Sequence, residues 1–298
     1  MAQAKRNLKY SILDVFSTQR YKGNPLSVVY TDGDLALQEY ENIAREFGYS
    51  ETSFIYYSPG RKALQVRSFS PTGFEVDGAG HNLLGAVLAA LIKGMNIFQE
   101  QTGDPYVIMK QAAIPLFIQQ NETAIPVVQM QQRPASAGKE IDVAIIAPAL
   151  GIAPPDISAN SFPPTIVQTE VAHCMIHVND VSVLNKINTD NKSLIAISKQ
   201  YGFEGYYAFA LTPEKDHVAE SRFFNPLIGI EEDAATGTAA GPLAGILQSK
   251  RLINKNESYQ ILQGVQLNQP SLIEVKVTDK GVLVGGTAVI TMEGELSL

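Results

Sequence analysis

The sequence predicts an α+β protein of two similar lobes, each a mostly antiparallel sheet wrapped around one buried helix. Three observations predict it. First, two segments have almost no polar face. Residues 80–94 carry Leu83, Leu84, Ala86, Val87, Leu88, Ala89, Ala90, Leu91 and Ile92, and residues 237–251 stay uncharged until Lys250-Arg251. A helix that is apolar all round is a buried helix, and at about fifteen residues each is too short to cross a bilayer. Second, Arg67-Ser68-Phe69-Ser70-Pro71 and Arg222-Phe223-Phe224-Asn225-Pro226 place Arg, Phe and Pro at the same offsets. Each copy leads through a loop with an aspartate, Asp77 or Asp233, into one of the apolar helices. An internal duplication of this kind predicts two like lobes facing each other across a pseudo-twofold axis. Third, the remaining chain reads mainly as short strands, enough to enclose both helices.

The elements follow in order. Strands are expected over 9–16 and 25–31, around Gly23-Asn24-Pro25, and a helix over 36–47, where Leu37, Tyr40, Ile43, Ala44 and Phe47 keep helical spacing. Strands near 51–57 and 63–69 precede the glycine-rich loop 70–80 and the first buried helix. Strands near 105–118 and 124–131 lead to a Pro-, Ala- and Ser-containing linker at 133–140. A short helix at 141–149, strands at 165–169 and 173–178, and a helix at 189–201 come next. Strands at 205–211 and 218–224 precede the second buried helix, and strands at 257–264, 271–277 and 281–292 close the chain. The expected lobes are 1–132 and 133–298, the last strands being candidates to cross back to the first.

Composition narrows the function. The chain has 298 residues, 45% of them apolar, and a net charge of −7. That charge argues against nucleic acid, whose phosphates call for a basic face. The lone cysteine, Cys174, allows neither an internal disulfide nor a cysteine-based zinc site. The first residues are basic but no apolar stretch follows them, so no signal peptide is expected and a cytoplasmic location is. No membrane span is expected either.

Candidate chemistry gathers at the two helix openings. Gly78-Ala79-Gly80 and Thr236-Gly237-Thr238 are small enough for ligand atoms to approach the backbone. The first N–H groups of a helix lack intrahelical partners and sit at the positive end of its dipole, which suits a carboxylate. Taken singly, each opening reads better as glycine serving close packing; paired across the repeat, they read as a binding site. Neither has the spacing of a nucleotide loop, which counts against a nucleotide-dependent oxidoreductase, and no H-E-x-x-H is present. His173 and His177 lie on one face of an expected strand and read as structural, and His217 reads as solvated. His81 stands in the first turn of a buried helix, where a packed core histidine is the plain alternative. Asp233 precedes the other helix, where capping is the plain alternative. From spacing alone Glu51 is an ordinary carboxylate.

At these same residues the sequence resembles the PhzF-like family. Asp14-Val15-Phe16 through Gly23-Asn24-Pro25-Leu26 is similar to its first strand and turn, and Tyr49-Ser50-Glu51-Thr52-Ser53-Phe54 to its N-F-S-E-T-x-F motif. Phe69-Ser70-Pro71 through Glu75 with Ala79-Gly80-His81 resembles F-T-P…E-x-x-x-A-G-H. Glu232-Asp233-Ala234-Ala235-Thr236-Gly237-Thr238-Ala239 resembles E-D-P-A-T-G-S-A, and Gly285-Gly286-Thr287-Ala288-Val289 the closing strand. The landmarks stand in family order over nearly the whole chain.

The resemblance implies a diaminopimelate epimerase-like fold, each lobe a β-barrel around its central helix, with the site in the interlobe cleft. It implies an isomerase without metal or organic cofactor, acting on a small carboxylated metabolite, and a homodimer. It carries proton transfer to Glu51 and substrate binding and polarisation to His81 and Asp233. It assigns substrate contacts to Gly80, Asn82, Gly237 and Thr238, with the backbone amides of Gly80, His81, Gly237 and Thr238 holding a carboxylate. Three departures mark the loops: Asn82-Leu83 replaces Pro-Thr, Ala234 replaces Pro, and Asp77 stands where an apolar residue or proline is common. They point to a substrate other than the phenazine precursor. Two-thiol racemisation is not expected, because the loop positions hold no cysteine. The competing reading is a non-catalytic small-anion-binding or regulatory protein that kept the fold; Glu51, His81 and Asp233 together favour the enzyme.

Overall fold

The computed structural model describes residues 6–76, 78–119, 125–213 and 215–298. The chain divides into two compact units, Met1–Met130 with Gly285–Leu298, and Gln131–Val284. Residues 285–298 lie with the first unit. Their reason for returning is the strand Ala288–Ser297, which runs antiparallel along the first strand of the chain from Val15↔Ala288 to Asn7↔Ser297.

In the first unit, β1 (Asn7–Val15), β2 (Asn24–Tyr30), β3 (Thr52–Ser58), β4 (Ala63–Phe69), β5 (Tyr106–Met109), β6 (Ala112–Gln119) and most of β7 (Val127–Gln132, whose last two residues belong to the second unit) are joined by α1 (Leu37–Phe47) and α2 (His81–Ile92). The closing strand, β17 (Ala288–Ser297), completes it. Pairing is antiparallel except for β2/β3 and β4/β5. The helix α2 is buried from Asn82 to Ala90 and packs against β1, β2, β3, β4 and β17. Strand alternation explains the layering. Ser53 on β3 faces α2 and donates to the Asn82 carbonyl at 3.0 Å. Its neighbour Phe54 faces the other way, into a cluster with Tyr40, Ile43 and Ala44 of α1. Close approach of helix and sheet needs Gly85, where a β-carbon would lie 2.4 Å from Leu26 Cδ2.

The second unit repeats the plan. It contains β8 (Ser136–Glu140), α3 (Val143–Ala149), β9 (Thr165–Gln168), β10 (Ala172–His177), α4 (Val181–Lys186), α5 (Asn191–Tyr201), β11 (Gly205–Leu211) and β12 (Ala219–Asn225). It continues with β13 (Ile230–Asp233), α6 (Gly237–Ser249), β14 (Tyr259–Gln263) and β15 (Ser271–Thr278), and β16 (Gly281–Gly286) leads back to the first unit. The parallel–antiparallel–parallel–antiparallel series of β2 to β6 recurs as β10/β11, β11/β12, β12/β14 and β14/β15. The buried α6 packs against β9, β10 and β15 as α2 packs in its own unit. The helices α3 and α5 form a separate apolar cluster with β10 and β11, through Ile146, Leu150, Leu194, Ile197, Tyr206 and Ala208.

The repeat extends to side-chain chemistry. Arg67 grips Glu75 through Nε and Nη2, both at 2.8 Å, and Arg222 grips Glu232 through the same atoms at 2.9 and 2.7 Å. Each guanidinium lies over the phenylalanine two residues on, 5.2 Å from the Phe69 ring and 5.0 Å from the Phe224 ring. The α+β fold with a sheet around a central helix in each unit is therefore present, and no helix among the described residues is long and apolar enough to cross a membrane.

Five local expectations change. The linker at 133–140 contains β8, an exposed strand pairing with β9. The expected strand at 105–118 is a hairpin, β5 and β6, turned by Lys110 and Gln111, which both have positive φ. That two-residue turn lacks the Asn-Gly signature that would have revealed it. The strand at 281–292 breaks at Thr287 into β16 and β17. The loop before the second buried helix carries β13, and the short α4 follows β10. Asp77, Glu214 and the start of the 124–131 strand lie outside the described residues.

Candidate active site

Glu51 immediately precedes β3, and His81 is the first residue of α2. The fold brings them together: Glu51 Oε2 lies 3.2 Å from His81 Nδ1, with side-chain exposures of 21% and 12%. Burial pushes the Glu51 carboxyl from its ordinary 4.5 up to about 7. A buried carboxylate loses water that nothing fully replaces, so the neutral form gains.

The shift makes a stability prediction. The folded value lies above the unfolded one, so the folded state holds more protons between pH 4.5 and 7, and stability falls as pH rises through that window. Glu51→Gln removes the buried charge. The variant should therefore be more stable than wild type at pH 8, by on the order of 1–3 kcal/mol, and equal to it below about pH 4. Urea unfolding at the two pH values checks this; an equal gap at both would show that the carboxyl is not carrying a desolvation cost.

The opening of α2 is shaped by Asn82. Its side chain is 1% exposed, accepts from the Gly80 N–H at 2.8 Å and donates to the Gly78 carbonyl at 3.1 Å. The Gly80 amide, expected to hold a carboxylate, is engaged by the Asn82 side chain, which ties the loop ahead of the helix. The first intrahelical bond is Leu84 N–H to the Gly80 carbonyl, so the amides of His81, Asn82 and Leu83 precede the helix ladder.

In the second unit Asp233 ends β13, and its Oδ2 accepts from the Thr236 hydroxyl at 2.6 Å. Gln263, fully buried on β14, fastens this loop. It donates to the Asp233 carbonyl at 2.8 Å and to Thr236 Oγ1 at 3.0 Å, and accepts from the Thr236 N–H at 3.2 Å. Gln132 donates to the Gly237 carbonyl at 2.9 Å. The helix ladder begins with Ala239 and Ala240 bonding to the Thr236 carbonyl, so the Gly237 and Thr238 amides stand ahead of it. Beside them, Thr238 Oγ1 lies 3.3 Å from His173 Nε2. Gln132, Gln263 and His173 were not singled out as site residues by the sequence; each acts on a loop remote from it in the chain.

The other candidates find plain roles. His177 stacks on Phe209 with centroids 5.0 Å apart. His217, expected in solvent, is half-buried against Glu220, its Nε2 3.3 Å from the carboxylate. Cys174 is fully buried in β10, and burial pushes its thiol well above the usual range, which removes it as a nucleophile.

Comparison with known proteins agrees with this architecture. The family model described as phenazine biosynthesis-like protein, PhzC-PhzF, matches residues 13–294. An uncharacterised isomerase of Clostridium acetobutylicum is 32% identical over 305 residues, covering 97% of this chain and 99% of the relative. The trans-2,3-dihydro-3-hydroxyanthranilate isomerase of Pseudomonas chlororaphis is 30% identical, covering 94% and 99%. Among solved structures, a PhzF-family phenazine biosynthesis protein of Bacillus anthracis superimposes with a TM-score of 0.84 at 23% identity, covering 98% and 99%. A hydroxyproline epimerase of Agrobacterium vitis shares the fold at 12% identity, with a TM-score of 0.60 and coverage of 98% and 93%. These neighbours match the diaminopimelate epimerase-like fold, and the chain belongs to the phenazine biosynthesis-like family and is an isomerase of the PhzF type.

Proposed function

We propose that the protein isomerises a small carboxylated substrate by moving a proton with Glu51, without metal or organic cofactor. The observation that carries this is the Glu51 carboxyl, raised to about 7 and 3.2 Å from His81 Nδ1. An acid–base group works best when its pKa lies near the operating pH, because both forms are then populated. A protein that only bound anions would have no use for such a carboxyl.

The step balances without any other reagent. Ionised Glu51 takes a proton from a carbon whose bond electrons pass into an adjacent conjugated system. The new carboxylic acid then returns the proton to a different carbon, and the double bond shifts. His81 and Asp233 bind and polarise the substrate as charge develops, and the Gly237 and Thr238 amides at the dipole end of α6 hold its carboxylate. Relatives are named for trans-2,3-dihydro-3-hydroxyanthranilate, and a cyclic, conjugated carboxylate of that kind fits this chemistry. The departures at Asn82, Ala234 and Asp77 favour a different member of the class.

The test is turnover of trans-2,3-dihydro-3-hydroxyanthranilate and related unsaturated carboxylates in deuterated water, followed by NMR. Turnover undiminished after dialysis against chelator supports the reading, with label at the newly protonated carbon to the extent that the Glu51 acid exchanges with solvent before it returns the proton. Loss of turnover on metal removal contradicts it. We also propose a cytoplasmic homodimer that binds neither nucleic acid nor membrane; a monomeric mass by light scattering at micromolar concentration would contradict the dimer.

A further inference from the structure

We propose that His173 is a positioning residue, donating from Nε2 to the Thr238 hydroxyl and so turning that hydroxyl's own proton toward the bound carboxylate. This rests on reading Thr238 as part of the substrate site. His173 lies on β10, in the strand before the outer helices, yet its Nε2 reaches Oγ1 of the second residue of α6 at 3.3 Å. The ring is 2% exposed and stands edge-on to Phe223, with centroids 5.2 Å apart and planes at 90°.

Burial lowers this imidazole to about 3, so it is neutral at physiological pH and carries one proton on one nitrogen. The other nitrogen, Nδ1, is buried without a hydrogen-bond partner among the described residues. A buried N–H without a partner is rarer than an unfilled acceptor, which places the proton on Nε2 and leaves Nδ1 as a bare lone pair. A hydroxyl has one proton and two lone pairs. When Thr238 Oγ1 accepts from His173, its proton must point elsewhere. Beside it are the Gly237 and Thr238 amides at the positive end of α6, the place suited to an anion.

Leaving a polar atom buried and unpaired costs about 1–3 kcal/mol. An apolar ring would pack against Phe223 without that cost, so an imidazole at this place is accounted for by the contact its other nitrogen makes. The two β-substituents of Thr238 restrict its rotamer, which keeps the hydroxyl within reach of both His173 and a ligand.

Nitrogen-15 NMR of histidine-labelled protein tests the proton's position with no ligand and no variant. The expected result is a proton on Nε2 of His173, unchanged from pH 5 to 9; a proton on Nδ1, or titration near 6.5, overturns the proposal. Binding is then measured by calorimetry with trans-2,3-dihydro-3-hydroxyanthranilate and with benzoate, the minimal cyclic carboxylate. His173→Phe and Thr238→Val should each weaken binding about tenfold. The double variant should be no weaker than either single one, because the two act as a unit. His173→Gln, which can place an N–H near Nε2, should recover most of the loss. If Thr238→Val weakens binding and His173→Phe, folded at the wild-type melting temperature, does not, the positioning role fails while the substrate site stands. If neither carboxylate binds wild type, or Thr238→Val binds as wild type does, the carboxylate reading of Thr238 fails and takes this proposal with it. Turnover by Glu51→Gln is a separate measurement that neither result touches.

Discussion

Glu51→Gln should lower turnover by at least about 10²–10⁴-fold, the usual contribution of a general acid–base group. Glutamine keeps the shape of the side chain and much of its hydrogen bonding, but it cannot take up and release a proton near pH 7. The loss should appear in kcat, because proton transfer belongs to the transition state, and affinity for a carboxylated ligand should change far less. The helix openings are shaped by Asn82, Gln132 and Gln263, none of which touches Glu51 through the bonds described above. Wild-type turnover by this variant would move the proton-transfer role to His81 or Asp233.

Arg222→Leu should be far more damaging to stability than Arg67→Leu, although the two arginines are repeats of one another. Arg222 and Glu232 are 11% and 12% exposed, and Arg222 Nη1 also caps the carbonyls of Leu184 at 3.1 Å and Ile187 at 2.9 Å. Removing the guanidinium strands a buried carboxylate and two carbonyls, at a cost of about 3–5 kcal/mol. Arg67 makes the same fork but is 29% exposed, with Asp34 at 3.7 Å in place of helix carbonyls. Water can take over there, and the cost should be at most about 2 kcal/mol. Urea unfolding of the two variants decides it. Replacing both partners, Arg222→Leu with Glu232→Leu, should recover part of the loss, since no charge is then stranded. Equal destabilisation by the two single variants would mean that burial does not distinguish the two repeats.

The duplication was legible because its marks are chemical and local: an arginine, a phenylalanine and a proline at fixed offsets, followed by a helix with no polar face. What the offsets hid is the glutamate each arginine grips. Glu75 is eight residues from Arg67, whereas Glu232 is ten from Arg222, so the strict repeat fails at that point. The strand β8 was hidden because all five of its residues are exposed and carry no alternation of burial. The strand β13, Ile-Glu-Glu-Asp, reads as a charged loop until its pairing with β12 is known. At the site, family motifs brought Glu51, His81 and Asp233 forward, and Glu51 and His81 do meet. His173, Gln132 and Gln263 had no such signal. Their partners lie 65, 105 and 27 residues away, and nothing short of the folded chain brings those pairs together. Asn82 was visible only as a departure from the family pattern; its buried amide shows what the departure does to the loop.

If Glu51 serves as both acid and base near neutral pH, its carboxyl can be titrated directly, whatever the substrate. Infrared difference spectra between wild type and Glu51→Gln, recorded from pH 4 to 9, isolate the signals of this one group. A carboxylic acid should give way to carboxylate with a midpoint near 7, in line with the burial that raises it. A midpoint between about 4 and 5, the ordinary range for an exposed glutamate, would contradict it.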